Sequence, residues 1–284
     1  MSLPGSTALV RLPACLLIFL CALPASAAPP LFDTHLHYNE SDAGAFTPQR
    51  IVRILQANGV HRAAVTGYPA EPVLDLYHTA PGLIVPLLGV YRSAADKQDW
   101  MRDTGLPERV KPMLERGPWR GVGELHLFAE QRHSPVFLRL VELATEHRLP
   151  LLMHCDPAVI DALFEHSPDA RAIWAHAGKY PYPQILQDYL DRYPRLYVDL
   201  SMRDERIAPG GELDPDWENL LWEYPDRFLA GVDTFSPERW DVYGWVVKRM
   251  RHWLGQLPEA VADQTAYGNA MRLYGVTEEP KRRD

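Results

Sequence analysis

Cysteine and positive charge are both scarce in this chain. It has three cysteines in 284 residues and a formal net charge of −8. Cys15 and Cys21 lie in an N-terminal apolar segment, so Cys155 has no intrachain disulfide partner once that segment is removed, and packing must hold the fold together. The negative balance argues against nucleic acid as a partner and against a basic membrane-binding surface, whereas a small-molecule substrate is compatible with it.

A long apolar run is also missing. The longest one, residues 14–23, follows Arg11 and precedes the small residues of 24–27, which is the pattern of a cleavable signal peptide. The run is too short for a membrane helix, which needs about 20 apolar residues. We therefore predict a signal peptide over residues 1–27, export to the periplasm or the medium, and no membrane association after cleavage.

Short apolar runs alternate with amphipathic segments along the rest of the chain, which is the pattern of βα units around a parallel sheet. The segments 48–58, 135–147 and 183–193 are predicted helices. A doubly wound sheet, the main alternative, needs a glycine-rich phosphate turn after the first strand, and residues 38–42 contain no glycine. We predict one domain over 28–284 with a (β/α)8 TIM-barrel fold. Its strands are expected at 31–37, 61–67, 83–90, 121–127, 149–154, 172–176, 196–200 and 228–233.

Potential metal ligands stand at the ends of these strands. In the first strand His35 and His37 are two residues apart, so their imidazoles project from one face. Glu124 lies toward the end of the fourth predicted strand, and three later strands end in His154, His176 and Asp233. Because the carboxyl ends of all strands of a barrel meet at one mouth, these side chains are expected to converge there.

The order and spacing of these motifs resemble the metal-dependent amidohydrolase superfamily, and more closely its amidohydrolase-related branch of hydrolases and decarboxylases. The matching segments are Asp33-Thr34-His35-Leu36-His37, Gly121-Val122-Gly123-Glu124, Leu152-Met153-His154, Trp174-Ala175-His176-Ala177-Gly178, Gly231-Val232-Asp233 and Gly268-Asn269-Ala270-Met271-Arg272-Leu273-Tyr274. The resemblance implies that His35, His37 and Asp233 bind one metal ion. Glu124 takes the position of a bridging ligand, and His154 and His176 would hold a second ion. With a single ion, His154 would join the first site and His176 would position a water, and both arrangements stay open.

The ligand types indicate the chemistry. Imidazoles and carboxylates together suit zinc, and also manganese, iron or nickel. Such an ion polarises a carbonyl and makes water reactive near neutral pH. We predict Asp233 as the general base and His176 as a second catalytic group.

Three cations follow predicted strands 3, 6 and 7. Arg92, Lys179 and Arg203 stand where they could hold a substrate carboxylate or phosphate, although Arg203 belongs to a charged run, 203–206, that solvation alone would explain. Supporting roles are expected for the other residues near the strand ends. Asp33 and Asp199 are predicted hydrogen-bond partners of the ligands, and Cys155 a core thiol. His126 shares a face with Glu124 and could reach the site, but a hydrogen-bonded wall histidine is the prediction. Tyr68, Tyr91 and Trp174 are predicted core aromatics, with the lining of an apolar pocket as the alternative.

The sequence thus predicts an exported metal-dependent hydrolase that uses metal-activated water on an amide, ester, lactone or phosphoester. A metal-dependent nonoxidative decarboxylase or hydratase of a small carboxylic acid is the alternative. A non-catalytic binding protein stabilised by metal belongs to a different class and would be expected to lack Asp233 or His176. A homo-oligomer is compatible with each of these hypotheses.

Overall fold

The fold is an eight-stranded parallel barrel, seen in a computed structural model that describes residues 29–277. The predicted signal peptide, 1–27, lies outside the described residues. Neighbouring strands pair in chain order from the first to the eighth, and the TIM-barrel prediction is confirmed. The strands are β1 Leu31–His37, β2 Val60–Thr66, β3 Ile84–Leu88, β4 Gly121–Leu127, β5 Leu151–Cys155, β6 Ala172–Trp174, β7 Leu196–Asp199 and β8 Phe228–Leu229.

Helices follow the strands and cover the outside of the barrel. The three helices predicted from the sequence are confirmed to within one residue at each end, and Ser134 caps one of them by accepting a hydrogen bond from the Phe137 N–H. The helices are α1 Glu40–Ala45, α2 Pro48–Ala57, α3 Glu71–Thr79, α4 Leu106–Arg116, α5 Pro135–Glu146, α6 Pro157–His166, α7 Pro183–Arg192, α8 Asp204–Ile207, α9 Pro215–Glu223, α10 Pro237–Asp241, α11 Tyr243–Leu254, α12 Glu259–Asp263 and α13 Asn269–Tyr274.

The last strand region closes the barrel against the first strand. The Thr34 N–H donates to the Ala230 carbonyl at 2.9 Å, and the Asp233 N–H donates to the His35 carbonyl at 2.7 Å. The buried Asp33 carboxylate strengthens this seam by accepting from the Val232 N–H at 3.0 Å. These bonds place the residues after β8 directly beside the end of β1.

The strands β6 and β8 end well before the positions that the sequence predicts. We expected strands through His176 and Asp233, whereas β6 ends at Trp174 and β8 at Leu229. His176 and Asp233 have φ angles of 58° and 61°, and such left-handed backbone cannot continue a strand. Both residues therefore lie on turns just beyond the strands.

The apolar core has two layers. A large group of apolar side chains lies between the strands and the surrounding helices. A smaller group, which includes Phe32, Leu152 and Leu229, fills the interior of the barrel. Tyr274 of α13 stacks on Phe32, with ring centroids 5.6 Å apart. Apolar side chains thus fill the interior of the barrel, and the polar side chains lie at the carboxyl ends of the strands. Among residues 29–277, no helix has the length and apolarity needed to span a membrane.

Candidate metal centre

The two histidines of β1 form the deepest part of the candidate site. The His37 Nε2 atom lies 3.3 Å from Glu124 Oε2 and 3.4 Å from Asp233 Oδ1. The His35 Nε2 atom lies 3.6 Å from Glu124 Oε1. Among the described residues, His35 Nε2, His37 Nε2 and Asp233 Oδ1 are buried without a hydrogen-bond partner. Buried polar atoms are rarely left unpaired, and two imidazole nitrogens converging with carboxylate oxygens fit a divalent cation.

Glu124 joins this group to two further histidines. Its Oε1 atom lies 3.1 Å from His154 Nδ1 and 3.3 Å from His176 Nε2. The His176 Nε2 atom is also 3.8 Å from Asp233 Oδ2. His154 is exposed at the barrel mouth, whereas Glu124 and His176 are buried. The structure therefore brings all six predicted metal ligands together, with Glu124 between two groups of histidines. We call these six side chains the cluster: His35, His37, Glu124, His154, His176 and Asp233.

Asp199 and Ser201 orient two of these imidazoles. The His35 Nδ1–H donates to Asp199 Oδ2 at 2.8 Å. The Ser201 hydroxyl donates to the same carboxylate and accepts from the His176 Nδ1–H at 2.8 Å. Asp199 and Ser201 thus engage the Nδ1 atoms of both rings, and the Nε2 atoms face Glu124 and Asp233. The supporting role predicted for Asp199 agrees with this network, and Ser201 was not identified from the sequence.

Burial and charge shift the pKa values of the central groups. For His35, burial acts to lower the pKa, but the charges of Asp199, Asp233 and Glu124 outweigh it and raise the pKa well above its usual range. For Glu124, burial acts to raise the pKa, but the charge of His35 and the hydrogen bonds from the histidines hold it far below its usual range. The pKa of Asp199 falls to about 2, since the charge of His35 outweighs burial. The carboxylates of this site therefore stay charged and favour a positive charge between them.

Gly123 allows Glu124 to reach this position. Its φ angle is 136°, and a Cβ atom there would lie only 2.5 Å from the Leu152 carbonyl oxygen of β5. A side chain is therefore excluded on both conformational and steric grounds. The Thr66 hydroxyl donates to the Gly123 carbonyl and links β2 to this point of β4.

His126 lies closer to the cluster than a simple wall residue would. Its Nε2 atom is 3.4 Å from Glu124 Oε2, and its ring stacks on His154 with centroids 4.7 Å apart. The hydroxyl of buried Tyr91 accepts from the His126 backbone N–H at 2.8 Å. Burial lowers the pKa of His126 to about 3, so this ring is neutral. The spacing of two from Glu124 on β4 is the sequence signal that both residues share a face.

A cavity of about 250 Å³ opens beside His154 and His176. Lys179 and Arg203 line it, as predicted for cations near the site. Lys179 is partly neutralised, because its Nζ atom lies 3.1 Å from Asp156 Oδ1. The cavity can therefore admit a small molecule next to the histidines, with cations along one wall.

Arg92, the third cation predicted near the site, does not line the cavity beside the histidines. Its side chain is 70% exposed and binds Asp96 at 3.1 Å. Residues 94–98 and 100–102 form short 3₁₀ turns after β3, and this local pairing turns the guanidinium to solvent. Among the described residues that line the histidine cavity, Arg92 is not found.

The remaining assignments concern packing. Trp174 and Tyr91 are buried, as expected of core aromatics. Cys155 is a buried free thiol whose pKa is raised well above its usual range by burial. Asp33 supports the β1 ligands through the backbone, because it accepts from the His35 N–H at 3.2 Å and from the Tyr243 hydroxyl at 2.7 Å.

A sequence comparison identifies the family to which this barrel belongs. A model of the amidohydrolase family matches residues 109–276, from α4 to the residues after α13. The chain belongs to the amidohydrolase family. No curated protein is similar enough to the chain to count as a match.

Solved structures share the fold at low sequence identity. A TatD homologue from Escherichia coli is 16% identical, with a TM-score of 0.61 over 87% of this chain and 98% of its own. A probable 2-pyrone-4,6-dicarboxylic acid hydrolase from Acinetobacter baumannii is 13% identical, with a TM-score of 0.59 over 86% and 99%. A 4-oxalomesaconate hydratase from Rhodopseudomonas palustris is 12% identical, with a TM-score of 0.58 over 86% and 95%. These similarities establish the barrel fold. The reaction has to be inferred from the residues of the site.

Proposed function

We propose that this protein is an exported metal-dependent hydrolase that cleaves an ester, lactone, amide or phosphoester bond in a small anionic substrate. One observation carries the proposal. The buried Nε2 atoms of His35 and His37 and the buried Oδ1 atom of Asp233 lack hydrogen-bond partners, and both nitrogens lie within 4 Å of Glu124 and of Asp233 Oδ1. Leaving three such atoms unpaired is costly unless a cation fills the space between them.

The residues divide naturally between holding an ion and handling protons. His35, His37, Glu124 and Asp233 would hold one ion, and Glu124, His154 and His176 a second. Zinc is the ion we propose, because it favours imidazole and carboxylate ligands. When bound, it supplies Lewis acidity, which polarises the scissile group and lowers the pKa of water.

Asp233 is suited to move the proton. One of its oxygens faces His37 and the other lies toward His176, so the carboxylate can keep a contact on one side while it accepts a proton on the other. It would take a proton from the attacking water and return it to the leaving group. His176 is held by Ser201 with its Nε2 atom toward the same point, where it would orient the water or the substrate.

The cavity beside the cluster supports a small anionic substrate. Two cations, Lys179 and Arg203, and one carboxylate, Asp156, line it. Its volume of about 250 Å³ suits a molecule of roughly the size of a small organic acid. The Acinetobacter structure of the same fold, a probable 2-pyrone-4,6-dicarboxylic acid hydrolase, holds citric acid, which agrees with this choice.

A paired substrate screen tests the proposal. Zinc-loaded protein would be given small lactones, esters, amides and phosphoesters, each with a free carboxylate and as the matched neutral methyl ester or amide. We expect hydrolysis of at least one carboxylate compound, and a higher KM for its neutral partner. Release of CO₂, or addition of water without bond cleavage, would support the decarboxylase or hydratase alternative and contradict the hydrolase proposal.

A further inference from the structure

Two arginines hold the backbone of the turns that carry His176 and Asp233. The Arg203 Nε–H donates to the His176 carbonyl at 2.6 Å, and an Nη2–H donates to the Gly178 carbonyl at 3.2 Å. The Arg239 Nε–H donates to the Asp233 carbonyl at 3.1 Å, and an Nη2–H donates to the Val232 carbonyl at 2.8 Å. In both cases a single guanidinium joins two carbonyls of one turn.

These are the two cluster residues with left-handed backbone. His176 and Asp233 have φ angles of 58° and 61°, and Ala177 and Gly178 continue the first turn at 53° and 71°. A residue other than glycine is strained in this region and keeps the conformation only when its surroundings enforce it. The ligands on β1, β4 and β5 are not among the residues with a positive φ angle.

The arginine side chain suits this task. Its planar, permanently charged fork directs several N–H groups in fixed directions, so one side chain can bind two carbonyls at once. A lysine presents its donors from one nitrogen at the end of a flexible chain. Arg203 precedes α8, in the loop after β7, and reaches back to the turn after β6. Arg239 lies in α10 and reaches back to the turn that follows β8.

We infer that Arg203 and Arg239 are positioning residues that hold His176 and Asp233 in the left-handed turns from which their side chains reach the metal centre. The inference rests on the proposed function, since it presumes that the cluster binds an ion. Neither residue need touch substrate for this role. The role differs from the one predicted for Arg203, because two of its donors are already used on the backbone.

The barrel supplies a matched pair of controls at its opposite end. The Arg227 Nε–H donates to the Leu196 carbonyl at 3.0 Å, and an Nη2–H donates to the Tyr193 carbonyl at 2.6 Å, at the start of β7. Arg251 similarly donates to the Pro29 carbonyl at 2.7 Å and the Gly59 carbonyl at 3.0 Å, before β1 and β2. Both contacts stabilise the fold away from the cluster.

Titration of the chelator-treated full chain with Co²⁺, followed by its visible absorption, tests the inference without a substrate. Arg239→Gln and Arg203→Gln are expected to raise the Kd for Co²⁺ about tenfold or more, the range seen when supports of metal ligands are removed. They should also change the shape of the cobalt absorption bands. Arg227→Gln and Arg251→Gln are expected to lower the melting temperature, while their Kd for Co²⁺ and their cobalt absorption spectra stay the same as in the wild type.

The outcomes separate this inference from the proposed function. If wild-type protein binds Co²⁺ and Arg239→Gln has the same Kd and spectrum as Arg227→Gln, the positioning role is wrong while the metal site stands. If wild-type protein does not bind Co²⁺, the proposed function fails and the inference fails with it. Should Arg239→Gln not fold, Arg239→Lys replaces it, and it is expected to weaken Co²⁺ binding more than Arg227→Lys does.

Discussion

Replacing Asp233 by Asn is expected to lower kcat by roughly 10²- to 10⁴-fold, the range for removal of a general acid or base. Asparagine keeps the shape and one oxygen of the side chain but cannot accept the proton from water. The backbone N–H bond to the His35 carbonyl and the carbonyl bonds to Arg239 do not involve the side chain, so the turn itself should persist. The loss should therefore appear in kcat.

The measurement is steady-state hydrolysis at a saturating metal concentration, with bound metal counted in the same samples. Asp241→Asn is the matched control, because Asp241 is an exposed residue of α10 in the same βα loop, and it should retain wild-type kcat. An Asp233→Asn enzyme that is fully loaded with metal and has a kcat close to wild type would exclude the general-base role.

Replacing Glu124 by Gln is expected to weaken metal binding by more than roughly 100-fold, the upper end for residues that only support ligands. Glutamine is nearly isosteric but has no charge, and its amide donates where the carboxylate accepts. Glu124 Oε1 lies within 3.6 Å of nitrogen atoms of His35, His154 and His176, so the substitution removes an anion that faces all three. Hydrolysis should be lost with the metal.

Competition with a chromophoric chelator would measure this Kd. Glu130→Gln is the control, since Glu130 is exposed in the loop that follows β4, and its Kd should equal that of wild type. A Glu124→Gln protein that binds metal as tightly as Glu130→Gln would show that Glu124 is only an ion-pair partner inside the barrel.

Strand periodicity accounts for the part of the site that the sequence predicted well. His35 and His37 are two residues apart in β1 and both face Glu124, and Glu124 lies on β4 within the predicted bounds. The barrel rule then places these residues at one mouth although more than 80 residues separate them in the chain. Local pattern and fold topology are sufficient for such positions.

Loop conformation accounts for the part that the sequence did not predict. The turns of His176 and Asp233 depend on contacts from later loops, and Ser201 and Arg239 act through bonds that no local pattern encodes. Arg92 lies outside the histidine cavity because its guanidinium binds Asp96, which is four residues away in the chain. Long flexible side chains on loops follow such local pairing, which their spacing from a strand end does not reveal.

The most direct test of the account is the number of divalent ions bound by the wild-type chain. Protein stripped by a chelator would be dialysed against Zn²⁺, and bound zinc and hydrolysis would be measured together before and after reloading. The account predicts at least one zinc ion per chain, loss of hydrolysis on stripping and recovery on reloading. A stripped protein that takes up no zinc and hydrolyses the same substrate at the same rate would contradict it.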